Sequence, residues 1–211
     1  MSLKPLFLRT LAIVSLGAGL AFAPASHAQL DTAHTTIEPA QPSDTAGKVE
    51  VLEFFAYSCP HCATMQPMVE QWAKTLPENV VVKQIPVAFN AGMEDMQRLY
   101  FSLEALDRLD LHSKVFHAIH REKKRIFNFK SMADWVEDQG LERKQFEAAF
   151  RSFGVNTKVD RANELTKTYN VEGTPSLAIG GRYVTSPSMT GTYEGAITEA
   201  QKLLDSILKA N

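Results

Sequence analysis

The sequence predicts an α/β fold in which a βαβ unit and a closing ββα unit flank an inserted all-helical domain. Three observations predict it. Two apolar runs, residues 49–57 and 80–87, bracket a helical pattern. Residues 93–170 then carry helical periodicity without a convincing strand. Finally, Gly180-Gly181 joins two short strand-like runs ahead of a terminal amphipathic helix.

The chain opens with a basic start containing Lys4 and Arg9, an apolar stretch from Leu11 to Ala25, and Ser26-His27-Ala28. This is the pattern of a secretory signal peptide spanning residues 1–28, with small residues at the −3 and −1 positions of a cut after Ala28. Gly17, Gly19 and Pro24 leave the apolar stretch short for a spanning helix, and no Cys follows it to accept a lipid. Removing this segment takes away two cations and no acid, so the net charge moves from −2 to −4. That balance argues against nucleic acid as a partner. Export also places the cysteines outside the reducing cytosol, where a disulfide persists.

Residues 29–47, with Pro39, Pro42 and Gly47, read as a polar, loose lead-in. Order is expected from Lys48. Residues 49–57 (Val-Glu-Val-Leu-Glu-Phe-Phe-Ala-Tyr) are apolar on both alternating faces, which suits a central strand covered on both sides. A helix follows from Pro60 to about Leu76, with Met65, Met68, Val69 and Trp72 as candidate core positions and Pro67 as an expected kink. The second strand covers residues 80–87, with Pro86 near its end.

The helical insertion breaks into pieces at 93–109, 113–125, 132–139, 143–153 and 157–169. Ser131 with Asp134 resembles a capping box, and Asn156 is a candidate cap for the last piece. The closing helix, roughly 193–208, puts Ile197, Ala200, Leu203, Leu204 and Ile207 on one side. The expected division is therefore residues 48–92 and 171–211 for the αβ domain and 93–170 for the insertion.

The chemistry sits at Cys59-Pro60-His61-Cys62, which holds the only two cysteines of the chain. Cysteines at i and i+3 meet on one face of a helix's first turn, and Pro60 at the first helical position gives up no needed N–H. The helix dipole and unpaired N–H groups there favour an anion, so Cys59 is expected as a thiolate of lowered pKa. His61 can add to this by hydrogen bonding or by charge. A purely structural disulfide closing so small a loop would contribute only about 2 kcal/mol. Zinc would need a second pair of ligands, and haem attachment would need His where Ala63 stands. Redox chemistry is the reading that fits, with no metal and no bound cofactor.

Glu53-Phe54-Phe55 leading into Cys59-Pro60-His61-Cys62, the helical insertion, Gly173-Thr174-Pro175 and the signal peptide together resemble the DsbA family of periplasmic disulfide donors, thioredoxin-like proteins with an inserted helical domain. The resemblance covers about residues 48–209. It implies that Pro175 is cis beside the two sulfurs and that Thr174 offers backbone hydrogen bonds to an extended client peptide. It gives Glu53, a carboxylate in an apolar strand, a proton-relay role near Cys62. In the family a lysine on the neighbouring strand accompanies this acid; here Lys83 and Gln84 both fall near that place, and Gln84 aligns more closely. The resemblance further implies a monomer that oxidises reduced exported proteins in the periplasm and is recharged by a DsbB-type, quinone-linked membrane oxidase.

The nearest rival is a disulfide isomerase or reductase on the same fold, but isomerases of this class usually carry an N-terminal dimerisation domain, for which residues 29–47 are too short. A peptide-binding chaperone with a vestigial Cys pair is the rival from another class. Elsewhere, His117 and His120 share a helix face without a third metal ligand. The run Arg121-Glu122-Lys123-Lys124-Arg125 reads as solvated surface. Met65, Met68, Met93 and Met96 suit core packing before a client groove.

Overall fold

A computed structural model describes residues 33–210. The proposed signal segment lies outside the described residues. β2 (Val49–Phe55) is the middle of the sheet: it pairs in parallel with β3 (Val80–Pro86) and antiparallel with β4 (Ser176–Ile179). β4 turns into β5 (Tyr183–Thr185), and β1 (Thr35–Thr36) adds antiparallel to β5, giving the order β1-β5-β4-β2-β3. Val51 to Phe55 are 3% exposed or less, as expected of a strand covered on both faces.

Side-chain alternation along β2 splits the core into two sides. Val51 meets Met65, Val69 and Trp72 of α1 (Pro60–Ala73) and Ala196, Ala200 and Leu204 of α8 (Tyr193–Ala210), which follows the one-turn α7 (Pro187–Thr190). Leu52 and Phe54 join a larger cluster that runs into the inserted helices: α2 (Glu94–Ala105), α3 (His112–His120), α4 (Phe129–Asp138), α5 (Arg143–Phe150) and α6 (Phe153–Thr168). Phe54, fully buried, contributes about 2–3 kcal/mol to this seam by transfer alone. Sheet and insertion thus share one hydrophobic cluster.

Several boundaries differ from expectation. The first strand stops at Phe55, while Ala56 and Tyr57 stay buried as they lead to the turn before α1. α1 runs through Pro67 to Ala73. The cap of α4 is Asn128, which accepts from the Ser131 N–H while Ser131 reaches back, so Ser131 is the far half of the capping box and Asp134 pairs with Lys130 and Arg143. α6 starts four residues early, with Ser152 as its cap; Asn156 lies inside it and accepts from Arg98. Met65 and Met96 are core, whereas Met68 and Met93 are half-buried.

The polar lead-in is not loose over its described part. Beyond β1, the Ile37 N–H donates to Arg182 O at 2.7 Å and the Gln41 N–H to Gly181 O at 2.9 Å. Gly180 and Gly181 both have positive φ, 55° and 72°, the requirement of the tight hairpin. A Cβ on Gly181 would lie 2.0 Å from the Gln41 carbonyl oxygen, so the hairpin glycine also makes room for the lead-in. Farther along, Thr45 Oγ1 donates to Glu50 at 2.6 Å, and Arg161 of α6 holds Asp44 at 2.9 Å.

Candidate functional site

The end of β2 delivers the chain to a turn, and Cys59 becomes the N-cap of α1 with extended backbone, φ −83° and ψ 116°. Its N–H donates to Ala56 O at 3.0 Å, and its carbonyl accepts from Ala63 at 3.2 Å to start the helix. Pro60 takes the first helical position, where no N–H is needed. An N-cap side chain faces the free N–H groups of the next residues. Cys59 makes no capping hydrogen bond of its own, but its place at the cap sets the sulfur near the N–H groups of His61 and Cys62, which lower its pKa.

The two sulfurs are strongly unlike. Cys59 is half-buried and Cys62, one turn inside, is fully buried. The Cys62 thiol, acting as a hydrogen-bond donor, leads the effects that lower the Cys59 pKa from 9.0 to about 5; the N–H groups of Cys62 and His61 and the side chain of Thr174 assist, against partial burial. Burial first, and then the neighbouring Cys59 sulfur, push the Cys62 thiol far upward. One sulfur is prepared as an anion and its partner as a neutral donor.

The Thr174–Pro175 peptide is cis, and Thr174 O accepts from the Cys59 thiol at 3.3 Å. Thr174, Pro175, His61, Met189 and Tyr193 share the lining of a cavity of about 750 Å³ beside the Cys pair. His61 is exposed, and its Nδ1 lies 2.7 Å from the Tyr193 hydroxyl. The imidazole is therefore tied to the start of α8, and the group that His61 lends the Cys59 sulfur is its backbone N–H.

Glu53 is 1% exposed, and burial, reinforced by Glu70, raises its pKa to about 8 while the Gln84 side chain works the other way. Its register partner on β3 is Gln84. Lys83 is the partner of Leu52 and its ammonium lies 2.5 Å from Glu50, so a lysine–Glu53 pair does not form.

Sequence reasoning missed the aromatic backing of the site. Tyr57 Oη lies 2.9 Å from His112 Nδ1, and Phe55, Tyr100 and Phe116 pack edge-on around that imidazole. Burial lowers the His112 pKa to about 4, so it is neutral. His120 Nε2 lies 2.8 Å from the Tyr57 carbonyl oxygen, and His117 turns to Glu122. Among the described residues no group of three or more metal-type ligands gathers. The apolar Phe55-Ala56-Tyr57 run before the cysteines was the one available signal for this backing.

A family model described as "DSBA-like thioredoxin domain" matches residues 50–197. The Bordetella pertussis thiol:disulfide interchange protein DsbA is 53% identical over 199 residues, covering 94% of this chain and 95% of that protein. The Burkholderia cepacia protein of the same name is 34% identical, with 98% and 97% covered. Among solved structures, Pseudomonas aeruginosa DsbA superimposes with a TM-score of 0.80 at 28% identity, covering 84% of this chain and 93% of that one. The Neisseria meningitidis oxidoreductase NmDsbA1 gives 0.73 at 29% identity, with 84% and 92% covered.

Proposed function

The chain belongs to the DSBA-like thioredoxin family and is a thiol:disulfide oxidoreductase, and from that premise we propose that it works as an oxidant through Cys59. A reduced client's thiolate attacks the Cys59 sulfur of the Cys59–Cys62 disulfide. The bond between the two cysteines breaks, a client–Cys59 mixed disulfide forms, and Cys62 leaves and takes up a proton. A second client thiolate then attacks the client's own sulfur, and Cys59 departs as a thiolate. Two electrons have moved from client to protein, and the client holds a new disulfide.

The observation that carries this reading is the placement of Cys59 as the half-buried N-cap of α1, with Cys62 buried one turn inside. A stable thiolate at Cys59 stabilises the reduced protein and makes it a good leaving group. With a pKa near 5, ionisation at pH 7 favours the reduced form by up to about 3 kcal/mol, roughly 60 mV for a two-electron couple. The disulfide is correspondingly ready to accept electrons.

The remaining site residues follow the same logic. Glu53, neutral below about pH 8, is the proton source for Cys62 as it leaves. Pro60 starts the helix, His61 adds its N–H, and Thr174 with cis-Pro175 presents backbone groups to an extended client. Clients are reduced exported proteins, the setting is the periplasm, and a DsbB-type quinone-linked membrane oxidase restores the disulfide. No helix among the described residues is long and apolar enough to cross a membrane.

Equilibration with glutathione tests the direction. The expected potential is well above that of the glutathione couple; a value at or below it would make the protein a reductase or isomerase.

A further inference from the structure

Glu53 carries an unusual burden for a carboxylate. Its Oε2 is buried without a hydrogen-bond partner. No cation faces it. From β3 the facing residue is Gln84, from β4 Leu177, from α1 Glu70, and from α2 Tyr100, with Glu104 beyond the phenol. Lys83 is turned to Glu50, and His112, on α3 behind Tyr100, is held neutral by burial.

Among the described residues the side chain that hydrogen-bonds Glu53 is that of Gln84, and it is itself held. Tyr100 is 3% exposed, and its hydroxyl donates to Gln84 Oε1 at 3.2 Å. An amide has one acceptor oxygen and one NH2. The Gln84 hydrogen bond lowers the Glu53 pKa, the effect of an NH2 donating to the carboxylate, so with the phenol on the amide oxygen the NH2 edge is the one turned to the carboxyl. A neutral donor satisfies one carboxyl oxygen without adding the charge that would ionise the acid.

We propose that Tyr100 and Gln84 are positioning residues for Glu53: the phenol fixes the amide, the amide holds one carboxyl oxygen, and the other oxygen, Oε2, is left to carry the exchangeable proton. The inference rests on the relay reading of Glu53 for its use in the reaction, while the geometry stands apart from it. It also explains why glutamine is the residue at this register position. The family's lysine would hold the same acid with a charge, whereas this amide holds it without one.

The test follows the Glu53 carboxyl directly, by its protonated carbonyl stretch in difference infrared spectra of the reduced and oxidised protein, assigned with Glu53→Gln. Tyr100→Phe and Gln84→Met are each expected to move the Glu53 titration upward by about one unit, a tenfold change in its proton affinity. Because both act through one amide, the double variant should move it no farther than either alone. Gln84→Lys should abolish the protonated band at neutral pH. An unmoved titration in Tyr100→Phe, or full additivity with Gln84→Met, would overturn the proposal. Gln84→Lys retaining its band would do the same, and needs no change at the buried phenol. The relay reading is judged separately, by the rate at which Glu53→Gln forms the mixed disulfide. An unchanged rate there removes the relay and not the positioning.

Discussion

The Tyr193 hydroxyl and His61 Nδ1 stand 2.7 Å apart, joining the first turn of α8 to the dipeptide between the two cysteines. This contact decides how His61 serves the thiolate. With the ring on Tyr193, the donors left to Cys59 are the Cys62 thiol, the N–H groups of Cys62 and His61, and the Thr174 side chain. His61→Ser keeps all of them. The thiolate pKa of that variant should therefore stay well below 9.0, and each unit it does rise should lower the potential by about 30 mV. Tyr193→Phe releases the ring toward the sulfur, and the Cys59 pKa should fall. Ultraviolet titration of the thiolate reads both variants; an ordinary thiol in His61→Ser would return the role to the imidazole.

Removing the Cys62 thiol should cost the thiolate more than removing the His61 ring. The Cys62 side chain is the foremost stabiliser of the Cys59 anion. Cys62→Ala leaves the backbone donors in place, so the Cys59 pKa should rise by more than in His61→Ser yet remain below 9.0. The same titration checks it, and a larger rise in His61→Ser would reverse the ranking.

The reduced protein should outlast the oxidised one in denaturant at neutral pH and lose that advantage in acid. The folded pKa of Cys59 is depressed, so its contribution is complete above pH 9 and disappears as pH falls through about 5. At pH 7 it amounts to up to about 3 kcal/mol, against about 2 kcal/mol that the short disulfide loop removes from the unfolded chain. The margin is narrow and its sign should change between pH 5 and 7. Paired urea melts across pH 5–9 measure it; an oxidised form more stable throughout would contradict the thiolate argument.

How far the sequence led depended on whether a signal was local. Glu53 was visible because a carboxylate interrupts an apolar strand, and Cys59-Pro60-His61-Cys62 because its spacing is its chemistry. β1 was invisible: Thr35 and Thr36 have no apolar pattern, and what fixes them is the backbone of β5, far along the chain. Tyr193 gave no sign of its role for the same reason, being 132 residues from His61. The helix starts at Asn128 and Ser152 were misplaced because several nearby polar residues could cap, and tertiary contacts chose among them.

Glu53→Gln should stabilise the protein at alkaline pH and leave it nearly unchanged in acid. The folded pKa of Glu53 is raised to about 8, so between its ordinary value of 4.5 and 8 the folded state holds a proton that the unfolded state has released. Stability due to this group therefore falls as pH rises through that window. Glutamine keeps the shape and removes the titration. Denaturant melts at pH 4 and pH 9 should show a difference only at the higher pH; a variant less stable at pH 9 would place an ionised, well-paired Glu53 in the strand.

The last prediction separates the two residues at which the sequence left a choice. Parallel pairing sets Glu53 against Gln84 and Leu52 against Lys83, which puts the lysine on the side of β2 that carries Glu50. There its ammonium meets a carboxylate that Thr45 Oγ1 and the Asp44 N–H also hold, and the pKa of Glu50 is lowered although burial opposes it. Lys83→Met takes the cation from a carboxylate that is itself buried and cannot leave, so folding stability should drop by about 1–3 kcal/mol. The drop should shrink as acid protonates Glu50, because a lowered folded pKa contributes stability only above it. The Cys59 titration and the Glu53 carbonyl band should not move, since neither group faces this lysine. Melts and infrared spectra on the same variant decide the matter. A shift of the Glu53 band with stability intact would show that Lys83 serves the buried acid after all, and the register would have to differ from the one described.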